Sequence, residues 1–252
     1  MKRHIPNFLT LLNVLAGSVA VIFAAKNDWE TMALLVLLGL IFDFSDGLAA
    51  RKLKVQSELG LQLDSLADVI TFGLVPGVVM FQLLSLSLGG EVVPEAEAGK
   101  FSFSLASTLP YFGFLITMSS ALRLGRFNID EHQTTSFIGL PTPANALLIV
   151  SLPMILLFNG NDALNSIILN PWFLVGLTVV SSVLLNAHIP LFSLKFKSLG
   201  FKENALRYVF IIVSLFCIGT MKFLAVPAII VIYLMSSLLF FKTAPTSGSS
   251  ED

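Results

Sequence analysis

The chain has 252 residues, 55% of them hydrophobic and only 12% charged, with a formal net charge of −1 and a mean hydropathy of +0.86. Soluble domains carry about 25% charged residues, so the polar surface that one or two such domains require is missing. The basic residues are scattered between apolar stretches, which gives no footing for nucleic acid, and the single Cys217 excludes an intrachain disulfide or a cysteine metal site.

About 20 apolar residues cross a bilayer as a helix. On that measure the chain predicts an all-α polytopic membrane protein of about eight spans, near residues 8–25, 31–50, 60–86, 103–122, 141–158, 171–190, 206–220 and 223–241. The basic start before the first apolar stretch is read as a retained membrane helix, because no small-residue cleavage site with a soluble domain follows. Asp43, Asp46, Gly47, Ala50 and Arg51 lie near the end of the second span. After the polar link from Lys52 to Glu58, the third span carries Gly60, Asp64 and Asp68. The fourth span is followed by Arg123, Arg126 and Asn128 in a predicted loop, and Pro141 and Pro143 shape the start of the fifth. The seventh span is short and Lys222 divides it from the eighth, so a tight turn between two spans is expected there, with a re-entrant hairpin as the alternative. Residues 1–242 read as one transmembrane domain and the Ser- and Gly-rich tail 243–252 as disordered.

Orientation follows from the basic residues. Lys2, Arg3, Arg51, Lys52, Lys54, Arg123, Arg126, Lys195, Lys197, Lys202, Arg207 and Lys242 fall at the termini and in even-to-odd loops, whereas Lys26, Lys100 and Lys222 fall opposite. This bias places both termini and the aspartates on the cytoplasmic side of the cell (inner) membrane, and loop 87–102 with Glu91, Glu95 and Glu97 outside.

The aspartates are the anomaly. Spacings of three and four put each pair on one helix face, and a charge well inside the bilayer costs roughly 2.5–3.5 kcal/mol on insertion scales. Four facing carboxylates become tolerable with bound cations or an internal aqueous cavity. All are hard oxygen ligands with no His or Cys nearby, which selects Mg²⁺ or Mn²⁺, and two such ions about 3.5–4 Å apart can clamp a phosphate. The small Gly47, Ala50 and Gly60 let a nucleotide or pyrophosphate approach the backbone, and Arg51 offers a fork of donors to phosphate. The competing reading is that the acids satisfy polar helix ends or line an ion pathway.

The string DFSDGLAARKLKVQSELGLQLDSLAD, Asp43 to Asp68, resembles the signature of the CDP-alcohol phosphatidyltransferases, D-x2-D-G-x2-A-R-x8-G-x3-D-x3-D, with every fixed position present. The resemblance implies a six-helix catalytic core, here extended by two C-terminal helices, usually in a homodimer. It implies that Asp43, Asp46 and Asp64 are chiefly ligands of two divalent metals and that Asp68 both touches metal and acts as general base. Gly47, Arg51 and Ser57 fall where the family binds CDP-lipid. The stretch IPNFLTLLN, with Asn7, Thr10 and Asn13, is similar to the family's nucleotide-contacting first helix. DSLADVITFGLVP (Asp64 to Pro76), RLGRFN (Arg123 to Asn128) and FIGLPTPANA (Phe137 to Ala146) are similar to its serine-transferring branch.

That branch implies transfer of the phosphatidyl group of CDP-diacylglycerol to L-serine, giving phosphatidylserine and CMP by direct displacement. Arg123, Arg126 and Asn128 are then candidates for serine, and the alternative for the arginines is a topology signal or contact with anionic head groups. Two other functions compete: the same chemistry with glycerol 3-phosphate or inositol phosphate as acceptor, and a cation transporter. Against a transporter, the acids lie in one segment of the chain and Arg51 among them would repel a passing cation. His4, His132 and His188 share no metal-ligand spacing, and Gly73 with Gly77 is expected to serve helix packing within one chain rather than dimerisation.

Overall fold

Local chemistry sets the helix ends in the computed structural model, which describes residues 4–89, 108–129, 137–187, 189–191 and 201–243. Pro6 in the first turn opens α1 (Ile5–Ala25), where a missing N–H costs nothing. Asp28 caps α2 (Trp29–Leu53) by accepting from the Thr31 N–H, and Lys54 ends it in the left-handed conformation. Ser57 caps α3 (Glu58–Asp68) through the Gly60 N–H. A π-helical turn, Val69–Leu74, follows without a break and leads into α4 (Val75–Ser87). These three pieces make one span, Glu58–Ser87.

A 3-10 turn, Leu109–Phe114, opens α5 (Leu115–Ile129). Pro141 at the N-cap and Pro143 in the first turn open α6 (Thr142–Phe158). A short α7 (Asp162–Ile168), capped by Asn161, meets α8 (Pro171–Asn186) at a bend of 63°. The last pair is α9 (Phe201–Met221) and α10 (Ala225–Thr243), joined by the 3-10 turn Lys222–Leu224.

Among the described residues, four stretches are long and apolar enough to cross a membrane, Ile5–Ala25, Trp29–Leu53, Glu58–Ser87 and Arg207–Leu238, with a fifth if the bent pair counts as one span. The stretch Arg207–Leu238 is folded back on itself. Lys222 has φ +51°, and the rings of Phe210 and Tyr233 meet at 5.7 Å, whereas 23 residues of straight helix would separate them by about 34 Å. The chain therefore turns tightly at Lys222–Leu224. At 21 residues α9 is also longer than the short seventh span expected. With α5 and α6, the eight expected spans each find a helix, and the protein is an all-α polytopic membrane protein.

Two features depart from expectation. The fourth helix runs to Ile129, so Arg123, Arg126 and Asn128 stand on its last turns and not in a loop. Asn128 holds that end in place: its carbonyl oxygen accepts from the Ser65 hydroxyl at 3.0 Å and its amide donates to Gln62 at 3.2 Å. Elsewhere, a two-residue antiparallel ladder pairs Phe137–Ile138 with Pro190–Leu191. Beside it the Gly139 and Leu140 N–H groups donate to the Ile189 and Leu184 carbonyls. Gly139 has φ +73°, and a Cβ there would stand 2.7 Å from the Leu185 carbonyl oxygen, so glycine is required.

The core lies where α1, α2, the π-turn, α4, α5 and α6 meet, around Ala20, Met32, Val36, Phe72, Val79, Ile116 and Ile149. Gly73 and Gly77 press against α5 at Ser120 and Thr117, which is packing within one chain. The expectations for residues 90–102 of the outer loop, His132, His188, Lys195, Lys197 and the tail beyond Thr243 fall outside the described residues.

Candidate active site

The second half of α2 supplies Asp43 and Asp46, and α3 supplies Asp64 and Asp68. Asp43 is ten residues before the end of α2 and Asp68 ten residues into the third span, each about 15 Å from its helix end. Carboxylate oxygens of Asp43, Asp64 and Asp68 all lie within 4.8 Å of one another. Asp46 is 5% exposed and turns toward α1, where the Thr10 hydroxyl donates to its Oδ2 at 2.5 Å. It still interacts electrostatically with Asp43, Asp64 and Asp68.

Like charges at this spacing repel strongly, on the order of 4 kcal/mol per pair at an effective dielectric of 20. Asp64 Oδ1 and Asp68 Oδ1 are also buried without a hydrogen-bond partner. Unspent, hard oxygen acceptors converging from two helices are the donor set that suits Mg²⁺ or Mn²⁺, so the residues present fit a divalent-metal centre. His4 is exposed and stands outside it.

On the α5 side of the cluster, Arg123 is half-buried and interacts with the charge of Asp68. Its Nε has no hydrogen-bond partner. Arg126, one turn on, is exposed. Asn128 spends both ends of its amide on Ser65 and Gln62, so it ties α5 to the aspartate-bearing helix.

Toward the α2–α3 link, the Arg51 guanidinium lies over Gly47, its Nη1 3.6 Å from where a Cβ would stand, an ordinary contact distance. Ala50 stands in the same last turns of α2, half-buried. A Cβ on Gly60 would lie 3.2 Å from Ser57 Oγ and 3.4 Å from Asn7 Oδ1. Asn7, Ser57 and Gly60 therefore form one group where α1 meets the start of α3, with the Ser57 hydroxyl already engaged as a helix cap.

Asn13 sits elsewhere. It is fully buried, and its side-chain oxygen accepts from the Thr71 hydroxyl at 2.7 Å. Sequence reasoning did not single out Thr71, Ser65, Gln62 or Thr117, whose hydroxyl donates to the Gly73 carbonyl at 2.9 Å. The available signal was a set of polar side chains in otherwise apolar helices.

Comparison with known proteins bears on this arrangement. The chain is 30% identical over 154 residues to the CDP-diacylglycerol–serine O-phosphatidyltransferase of Bacillus subtilis (strain 168), a match covering 60% of this chain and 75% of that protein. It is 31% identical over 179 residues to the protein of the same name from Methanocaldococcus jannaschii, covering 71% and 72%. A third so named, from Helicobacter pylori (strain 26695), is 31% identical over 147 residues, 58% of this chain, and the match spans 55% of that relative's length. Residues 3–184, from the first helix to the sixth span, match the family described as CDP-alcohol phosphatidyltransferase. The matched segment contains the clustered aspartates, their supporting residues and Arg123, and the chain belongs to the CDP-alcohol phosphatidyltransferase family.

Proposed function

We propose that the protein transfers the phosphatidyl group of CDP-diacylglycerol to L-serine, releasing CMP and phosphatidylserine. The observation that carries this reading is the convergence of Asp43, Asp64 and Asp68 within 4.8 Å in a chain similar to relatives named for that reaction. Asp43, Asp46, Asp64 and Asp68 would hold two Mg²⁺ or Mn²⁺ ions. Bound there, the metals would neutralise the pyrophosphate and the charge gathering on the departing CMP.

The residues of the chain supply positioning and proton transfer. Gly47, Ala50 and Gly60 leave the backbone open to the nucleotide diphosphate, with Arg51, Asn7 and Ser57 around it as polar contacts. Thr10 reaches this site through Asp46, and Asn13 is better read as a support than as a ligand contact. Arg123 pairs with the serine carboxylate beside Asp68, and Arg126 adds positive charge at the mouth. Asp68 Oδ1, unpartnered as it is, accepts the proton of the serine hydroxyl as the oxygen attacks phosphorus. The bond from that phosphorus to the CMP oxygen breaks, and the new ester forms in the same displacement. No covalent phosphatidyl-enzyme is required.

The distribution of Lys and Arg supports cytoplasmic termini and a site open to the cytoplasm, in the cell (inner) membrane. Residues 1–242 act as one catalytic unit, and a homodimer is the assembly in keeping with the family. The direct test is CMP release by the purified protein in detergent with CDP-diacylglycerol, Mn²⁺ or Mg²⁺, and one alcohol at a time. Release that needs both metal and serine is expected. Release with glycerol 3-phosphate or inositol phosphate, and none with serine, would keep the chemistry and change the acceptor.

A further inference from the structure

The π-turn Val69–Leu74 begins at the residue after Asp68. Its rings close five residues back, as the Val75 N–H does on the Ile70 carbonyl, so it carries one residue more than an α-turn. One extra residue rotates everything beyond it by about 100° relative to the aspartates. The third span can thereby aim Asp64 and Asp68 at Asp43 and also seat Gly73 and Gly77 against α5. A π-turn is rare and appears mostly as a single turn inside an α-helix, often at a functional site.

A polar knot holds the turn at Thr71, its third residue. Its hydroxyl donates to Asn13 Oδ1 at 2.7 Å and lies 3.2 Å from the Asn13 carbonyl oxygen. Thr71 and Asn13 are both fully buried. Two glycines make room for this approach. A Cβ on Gly17 of α1 would collide with the Thr71 hydroxyl, and one on Gly39 of α2 would stand 2.7 Å from Thr71 Cγ2 and 2.9 Å from Asn13 Oδ1. One helical turn before Asn13, on the same face of α1, Thr10 holds Asp46. A single strip of α1 thus grips both aspartate-bearing helices.

We propose that Asn13 and Thr71 are positioning residues, whose hydrogen bond locks the π-turn and so fixes Asp64 and Asp68 opposite Asp43. This rests on reading the aspartates as the metal site. Supports of this kind typically change metal affinity or activity by about 10–100-fold when removed. A second tether between the same two spans provides a control: Gln82 of α4 donates to the Ala25 carbonyl at 2.6 Å, 14 residues beyond Asp68 and about 21 Å along the helix.

The test is a Mn²⁺ titration of the full-length protein in detergent, with free Mn²⁺ read by electron paramagnetic resonance and the fold by melting temperature. Thr71→Val keeps the shape and deletes the donor, and is expected to weaken Mn²⁺ binding by about 10-fold or more. Thr71→Ser keeps the hydroxyl and is expected to restore affinity to near the parent's. Gln82→Leu is expected to lower the melting temperature and leave affinity unchanged. If Thr71→Val does not fold, Thr71→Ala against Thr71→Ser makes the same comparison with no added bulk. Unchanged affinity in Thr71→Val, or an equal loss in Thr71→Val and Gln82→Leu, would overturn the proposal. Asp64→Asn separates it from its premise. Loss of Mn²⁺ there with parent-like binding in Thr71→Val sinks only the positioning role, while parent-like binding in Asp64→Asn removes the metal site and the proposal with it.

Discussion

The first four spans and the C-terminal hairpin place their hydrogen-bonding side chains differently. In the first four, side chains reach across helices: Thr10 to Asp46, Thr71 to Asn13, Gln82 to Ala25, Thr117 to Gly73 and Ser65 to Asn128. In the hairpin, the hydroxyls of Ser214 and Thr220 turn back to carbonyls four residues earlier in their own helix, as those of Ser45 and Ser85 do in the second and third spans. The hairpin's tip meets the core through Lys222 and the Phe158 carbonyl, and through the rings of Phe158 and Phe223. A hydroxyl bonded within its own helix satisfies itself and fixes nothing else. A cross-helix bond fixes the distance and rotation of two backbones, and those of Thr10 and Ser65 lie on or next to the carboxylates, whereas that of Gln82 is about 21 Å along the helix from Asp68. The family match ends at residue 184, before the hairpin begins.

The sharpest break in that comparison comes from the cluster itself. Asp68→Asn removes the proposed base and one charge while keeping size and packing. Turnover, read as CMP release, is expected to fall by about 10²–10⁴-fold. The melting temperature should not fall, because a neutral amide relieves repulsion with Asp43 and Asp64. Retained turnover would end the assignment of Asp68 as base. Arg123→Ala comes next in size. A charge-assisted hydrogen bond is worth about 1.5–3 kcal/mol, so KM for serine is expected to rise by roughly 10- to 100-fold, with KM for CDP-diacylglycerol changed much less. The reverse ranking would move Arg123 from the serine carboxylate to the phosphate.

Apolar run length alone predicted eight spans, because hydrocarbon thickness imposes a length that sequence displays directly. The aspartates were legible for a related reason: a carboxylate inside such a run is costly enough to require a purpose. The π-turn was not legible. VITFGL contains no proline and no polar run, and its extra residue is stabilised by Asn13, Gly17 and Gly39 from two other helices. The end of the fourth helix was misplaced because Arg123, Arg126 and Asn128 look like loop residues by polarity. Asn128 is fastened to Gln62 and Ser65 instead, and long arginine side chains can keep their heads polar from a helix. Asn13 matched a family stretch yet lies fully buried against Thr71, a contact that depends on tertiary packing.

Two smaller effects probe how tightly each region is built. Gly77→Ala would put a methyl group onto the Thr117 hydroxyl. Overpacking of this kind costs about 1–3 kcal/mol, so a lower melting temperature is expected, with CMP release per folded molecule near the parent's. A melting temperature equal to the parent's would mean that the α4–α5 contact is loose enough to absorb a methyl group.

The smallest effect belongs to the hairpin, and it uses the same substitution as the Thr71 test. Thr220 is exposed, and its hydroxyl returns to the Phe216 carbonyl of its own helix. Thr220→Val removes that hydrogen bond, but the carbonyl keeps its place in the helix and the new methyl group meets an apolar surrounding. The expected change in stability is within about 0.5 kcal/mol, with Mn²⁺ affinity and CMP release unchanged. Thr71→Val makes the identical chemical change where the hydroxyl spans two helices beside Asp68. If the two valines lowered Mn²⁺ affinity alike, threonine loss would be acting through general loosening of the bundle, and the distinction between self-bonded and cross-helix hydroxyls would carry no functional weight. A large effect at 71 and none at 220 would show that a hydroxyl's importance here depends on which helix it reaches.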